Sequence, residues 1–177
     1  MNVGTAPVRD NSRVSMTAMC LTMLTRPGEA GTEVLLGRKK TGLGTGKFVG
    51  LGGHLEPGET AVAAAVREVA EESGLVVAPD DLRPVGFVVH RFATRPQWNQ
   101  SVTVFTGDRF TGEAVETEEI APRWFPLDAL PLDSMWDDAR HWLPTVLAGR
   151  PVRAEFTFGA DCDTVSDGEV TEVDTLD

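Results

Sequence analysis

The period of the apolar positions changes several times along the chain, and each change marks an element. Residues 13–25, Arg-Val-Ser-Met-Thr-Ala-Met-Cys-Leu-Thr-Met-Leu-Thr, are an apolar, β-compatible run expected to form a central strand. Arg26 to Gly31 reads as a turn, and Glu33 to Arg38 as the strand that returns from it. Glycines at 42, 44 and 46 follow. They come after a strand but open no helix, which fits a loop flanking a ligand mouth better than a dinucleotide loop. A second Gly/Pro-rich stretch then turns at Pro57-Gly58 and runs into a helix that Thr60 caps and Ser73-Gly74 stops. Inside it Val62, Val66 and Val69 make one apolar stripe, and at about 100° per residue Glu68, Glu71 and Glu72 are expected on the opposite side.

Beyond a turn at Pro79-Asp80-Asp81, residues 84–92 and 101–110 read as strands joined by a polar loop that carries Trp98. An acidic segment, 113–119, precedes a strand at 123–126. A Leu/Pro stretch and a helix at 137–147 come next, and 153–158 and 165–173 read as closing strands. Residues 1–12 are polar and aperiodic, expected as a flexible tail ahead of a single domain over 13–177.

Composition narrows the function more than the fold. Of 177 residues, 41% are hydrophobic and 24% charged, ordinary for a globular protein. The net charge of −11 argues against stable nucleic-acid binding, but metal ions can bridge an acidic site to small phosphorylated ligands. The two cysteines, Cys20 and Cys162, form no CxxC pattern, so a structural zinc site is not expected. No apolar run approaches the length of a membrane span or a signal-peptide core, so the expectation is a cytoplasmic protein that does not engage the membrane.

Glu68, Glu71 and Glu72 are the chemical signal. Carboxylates converging on one patch repel each other unless a cation sits among them, and hard oxygen ligands suit Mg²⁺ or Mn²⁺. Arg67 is placed to pair with Glu71 four residues on, or with Glu59 across the loop. An acidic helix face alone also describes a solvated face; the joint pattern tips the balance. Gly53, five residues, Glu59, seven residues and then Arg67-Glu68-Val69-x-Glu71-Glu72-x-Gly74-Leu75 fills every fixed position of the Nudix hydrolase signature. The chain therefore resembles that family. Leu35-Leu-Gly-Arg-Lys-Lys40, Gly42-Leu-Gly-Thr-Gly46, Arg123-Trp-Phe-Pro-Leu-Asp128, Met135-Trp136, Trp142-Leu-Pro144 and Glu172-Val-Asp-Thr175 are similar to its MutT-homologue branch, the oxidised purine nucleoside triphosphatases.

The resemblance implies an α/β (α+β) fold with a mixed β-sheet sandwiched between helices. It implies Mg²⁺-dependent hydrolysis of a nucleoside triphosphate, such as 8-oxo-dGTP, to monophosphate and pyrophosphate, with Mn²⁺ as a substitute metal. The implied metal ligands are the Gly52 carbonyl, Glu68, Glu71, Glu72 and Glu119. The implied catalytic residues are Glu72 or Glu71 as base, Glu119 as the alternative base, and Arg67. Lys39, Val49, Leu51, Gly53, His54, His90, Gln100, Trp136, Asp137 and Asp138 are carried over as substrate-binding. The base pocket departs from the relatives, which have Asn where Val49 stands, a second aspartate where Ala139 stands and apolar residues at His90 and Gln100. Those departures keep other substrates open: ADP-ribose, a dinucleoside polyphosphate or an ordinary dNTP. A nucleotide-sensing domain without catalysis is the reading from another class, and an RNA-cap or transcript-end hydrolase is disfavoured by the charge. The partner implied is a small nucleotide, with the chain a monomer or homodimer.

Overall fold

Strand β1 (Thr17–Gly28) places apolar residues at successive positions because both its faces are covered. Cys20 and Leu24 point into one layer and Met23 into the other. Strand β2 (Gly31–Lys39) repeats the alternation, with Leu35 on the first side and Val34 and Leu36 on the second. The structure is a computed structural model describing residues 16–176. The tail expected over 1–12, and residues 13–15 of the expected opening strand, lie outside the described residues.

The eight-stranded sheet runs β3-β2-β1-β5-β4-β7-β8, with β3 Phe48–Val49, β4 Arg83–Phe92, β5 Gln100–Gly107, β7 Val152–Phe158 and β8 Val165–Glu172. A further strand, β6 (Ile120–Pro126), pairs with β2 along the edge that β1 and β3 leave open. The β1·β5 and β4·β7 pairs are parallel and the others antiparallel, so the sheet is mixed as expected. Helix α1 (Ala61–Ser73) covers one face over Cys20, Leu24, Leu35, Leu51 and Phe105. Helix α2 (Ala139–Leu147) covers the other through Trp142, Leu143 and Val146, over Val88, Phe92, Phe156 and Phe158.

One detail of β1 decides where the chemistry sits. Thr17–Leu24 bond β5, while only Thr25–Gly28 bond β2. The other edge of the first half of β1 is therefore left for the loop ahead of α1. Thr22 N donates to Leu51 O at 2.6 Å and Leu51 N returns to Thr22 O at 3.0 Å. Cys20 N donates to Gly53 O at 2.9 Å, and Leu55 N to Ala18 O at 3.1 Å.

Several boundaries differ from the sequence expectation. β1 continues through Arg26 and Pro27, so the turn is confined to Glu29 and Ala30. β5 ends at Gly107 instead of 110, and β6 begins earlier, at Ile120. α2 begins at Ala139 instead of 137; Asp137 and Asp138 stand just ahead of it, where their carboxylates accept from Val165 N and His90 Nε2 as well as from Arg140 and Trp142 within the helix. In α1 the buried residues are Ala64, Ala65, Val69, Glu72 and Ser73, while Val62 and Val66 are only half-buried. The carboxylate side and the packed side overlap at Glu72 instead of opposing one another.

Candidate active site

Helix α1 starts and stops as its sequence dictates. Thr60 Oγ1 accepts from Ala63 N at 3.3 Å, and Gly74, at φ 73°, returns its N–H to Ala70 O. The loop in front of it packs so closely that glycine is required at 52, against backbone, while Gly53 lies against the movable Glu68 carboxylate. A Cβ on Gly52 would lie 2.0 Å from the Cys20 carbonyl oxygen, and one on Gly53 would lie 2.5 Å from Glu68 Oε1. With no side chain in the way, Gly52 N donates to Glu72 Oε2 at 2.8 Å, locking loop to helix.

Arg67 organises the acids. Its Nε and Nη2 grip both Glu59 oxygens at 3.0 and 2.9 Å, and Nη2 also donates to the His54 carbonyl at 3.1 Å. Nη1 donates to Glu68 Oε1 at 2.8 Å and to Glu71 Oε2 at 3.2 Å. The alternatives expected for Arg67, Glu71 or Glu59, are both realised, with Glu68 added. The guanidinium holds the Glu59 carboxyl down at about 2, and the carboxylates in turn push the Arg67 pKa above its ordinary value.

Glu72 is the unusual member, only 4% exposed. Burial pushes its carboxyl up to about 7; the Gly52 N–H and the Lys39 charge oppose the rise, and Glu68 and Glu119 add to it. The segment before β6 brings Glu119 in: Thr117 Oγ1 donates to the Glu72 carbonyl at 3.4 Å, and Lys40 N donates to Glu119 O at 2.8 Å. Glu119 and Glu71 are exposed, and Glu68 and Lys39 half-buried. Among the described residues no three His, Cys, Asp or Glu side chains converge as a ready cage for an ion. Arg67 supplies the reason, since its Nη1 already lies between Glu68 and Glu71. The donor set nonetheless fits a hard dication: oxygen ligands only, and a buried carboxyl that like-charged neighbours leave short of positive charge.

The residues carried over for the base pocket fall on both faces of the sheet. Leu51 is fully buried in the α1-side core, so only its backbone faces the loop, and Val49 packs on that same side, away from Trp136. Asp138 is 2% exposed, its Oδ2 accepting from His90 Nε2 at 2.8 Å and Trp142 Nε1 at 2.7 Å. Its Oδ1 is buried without a hydrogen bond. Burial would raise the Asp138 carboxyl, but the His90 ring and the Trp142 N–H reverse this and leave it below the usual range. Gln100 Nε2 lies 3.3 Å from His90 Nδ1, completing an internal chain of polar groups. Asp137 ties the start of α2 to β8, accepting from Val165 N at 2.9 Å and from Arg140 Nε at 3.0 Å. His54 is exposed, with its carbonyl on Arg67. Asp138, His90 and Gln100 are thus tied to one another, and the two aspartates to α2 and, through Asp137, to β8 by hydrogen bonds.

Trp136 does line one. A cavity of about 330 Å³ lies between Trp136, Trp98, Lys47 and Arg95, with the glycine loop (Leu43, Gly44, Thr45) and residues 160–163 around it. The glycine loop joins this cavity to the acids. Its base is pinned where Lys39 N donates to Lys47 O at 3.0 Å and Gly46 N to Lys39 O at 2.8 Å, and its tip lies over the Trp136 indole at Gly44. Gly42, Gly44 and Gly46 all adopt positive φ, the geometry such a tight excursion needs. Lys47, Arg95 and residues 160–163 were missed from sequence; a lone tryptophan in the polar loop at 98 was the one available signal.

A glycine-shaped loop locked to a helix that gathers glutamates around one arginine, on a mixed sheet between two helices, defines a phosphoanhydride-cleaving architecture. The NUDIX domain family model matches residues 16–146, and the chain belongs to that family, as a Nudix hydrolase. It is 39% identical over 144 residues to the oxidized purine nucleoside triphosphate hydrolase of Mus musculus, covering 81% of this chain and 90% of that one. Identity to the protein of the same name from Danio rerio is 36% over 158 residues, 89% of this chain and 96% of that one. Among solved structures, the mutator MutT protein of Bacillus halodurans superposes with a TM-score of 0.72 at 19% identity, covering 88% of this chain and 97% of that one.

Proposed function

We propose that this chain hydrolyses oxidised purine nucleoside triphosphates, of which 8-oxo-dGTP is the test case, to the monophosphate and pyrophosphate. The observation that carries the reading is Glu72: a buried carboxyl poised near neutral pH, hydrogen-bonded to the signature loop and linked by the glycine loop to a base-sized cavity at Trp136. The relatives from mouse and zebrafish support the substrate class.

In this reading Glu72, held against the Gly52 N–H, takes the proton from the attacking water. Glu71 and the exposed Glu119 are the alternative bases. Arg67 is a positioning residue that fixes Glu59, Glu68 and Glu71 relative to one another. Lys39, beside Glu72 at the root of the glycine loop, meets the substrate phosphates. A divalent cation, Mg²⁺ with Mn²⁺ as substitute, would be held by Glu68, Glu71, Glu72, Glu119 and the Gly52 carbonyl, neutralising phosphate charge and acidifying water. Among the described residues no helix is long and apolar enough to cross a membrane, and Cys20 and Cys162 are both free. We assign the activity to the cytoplasm, acting on small nucleotides without stable nucleic-acid binding, in a monomer or homodimer.

A second substrate reading is favoured by Asp138, whose Oδ2 is already taken by His90 and Trp142, and by Val49, which packs away from the cavity. It keeps the chemistry and moves the substrate to an ordinary dNTP, ADP-ribose or a dinucleoside polyphosphate. A product assay with Mg²⁺ on 8-oxo-dGTP, dGTP, ATP, ADP-ribose and diadenosine polyphosphates decides between them. Monophosphate and pyrophosphate from 8-oxo-dGTP, with dGTP much slower, is the expected result; a preference for any other member overturns the first reading.

A further inference from the structure

Trp98 and Trp136 come from different parts of the chain and stand on the same ring. Trp98 meets Phe92 edge-on at 5.8 Å and 84°, and Trp136 meets it edge-on at 6.2 Å and 75°. Phe92 is fully buried and stacks flat on Phe158 at 4.8 Å and 6°, which makes the floor rigid. Both indoles are only half-buried and both line the 330 Å³ cavity. Each has a cation over its ring, Arg95 at 5.0 Å from Trp98 and Lys47 at 5.1 Å from Trp136. Lys47 is anchored in turn by Asp163 at 2.7 Å.

We propose that this cavity is a two-walled slot for a planar nucleobase, in which Trp98, contributed by the β4–β5 loop, is the second stacking wall beside Trp136. The proposal rests on the nucleotide reading above and extends it to a further substrate-binding residue. Two indoles raised from a common aromatic floor both border the cavity, and every nucleobase has a face to stack on them. A cation–π contact open to water is weaker than a stacked base, so an entering base displaces Arg95 and Lys47 from the rings. Stacking grips the π face that guanine and 8-oxoguanine share, so the slot supplies affinity for the base and leaves the choice between the two to other contacts. Val49 packs on the opposite side of the sheet, and the Asp138 carboxylate is engaged by His90 and Trp142.

Calorimetric binding of 8-oxo-dGMP without metal tests the slot apart from any hydrolysis. Trp98→Leu keeps apolar volume on Phe92 but removes the π face, and is expected to weaken binding about tenfold, whereas Trp98→Phe stays close to wild type. In turnover of 8-oxo-dGTP the Leu variant raises KM by a similar factor and leaves kcat unchanged. Wild-type affinity in Trp98→Leu, equal losses in the Leu and Phe variants, or no binding of 8-oxo-dGMP by the wild type overturns the slot. Trp98-dependent binding with no turnover of any triphosphate would instead sink the hydrolytic reading and leave the slot standing.

Discussion

Glu72 shows how a single carboxyl is tuned. Its pKa of about 7 lies above the ordinary 4.5, so the folded chain binds a proton that the unfolded chain releases. For a raised acid, the stabilisation is complete below the unfolded value and is lost as pH rises through the folded one. Metal-free protein should therefore lose stability between pH 5 and pH 8 through this group, by roughly 3 kcal/mol at most. Glu72→Gln, which cannot titrate, should remove that component. Thermal melts of both proteins at the two pH values check it, and identical pH slopes would show that Glu72 titrates normally. The acids were legible in the sequence because helical spacing fixes their relation locally. Asp138 was not, because its partner His90 is 48 residues away and only the β4–α2 packing reveals that the pair is buried together. A residue transferred by resemblance keeps its place in the chain but not its hydrogen bonds.

At the scale of elements, the site depends on a strand edge. β2 leaves β1 at Thr25, and the signature loop takes the vacated edge through four backbone hydrogen bonds. The sequence disclosed both strands, the loop and the helix. It did not disclose the edge, because strand pairing depends on residues remote from the motif. It also misjudged the buried face of α1: small Ala64 and Ala65 pack closest to the sheet, while the more conspicuous valines at 62 and 66 lie to the side. The loop's tight fit gives a sharp expectation for Gly52→Ala. Its Cβ would sit 2.0 Å from the Cys20 carbonyl, a backbone atom that cannot swing aside, so the loop must shift away from β1. A displacement of about 1 Å in such a site costs on the order of 10²-fold in activity. The destabilisation should be about 2 kcal/mol or more, in the class of backbone conflicts. Kinetics and a denaturant melt of the variant test both parts. Near-wild-type turnover would mean that the loop is not held against β1 as described.

The molecule as a whole carries a net charge of −11 and gathers several of its carboxylates around one arginine. A dication that binds the folded chain and not the unfolded one raises stability by mass action, by about 2.7 kcal/mol at a hundredfold excess over Kd. For a chain of this size that corresponds to a rise in melting temperature of roughly 5–10 °C. Proton and cation compete for Glu72, so the rise should be larger at pH 8 than at pH 6. EDTA should reverse it. The decisive comparison is a Glu68→Gln/Glu72→Gln double variant, which keeps most of the negative charge but loses the two least exposed ligands proposed on α1. If that variant responds to Mg²⁺ as the wild type does, the ion is neutralising the surface at large and the helix is not its site. A response confined to the wild type ties the cation to the same carboxylates that Arg67 and Gly52 hold in place.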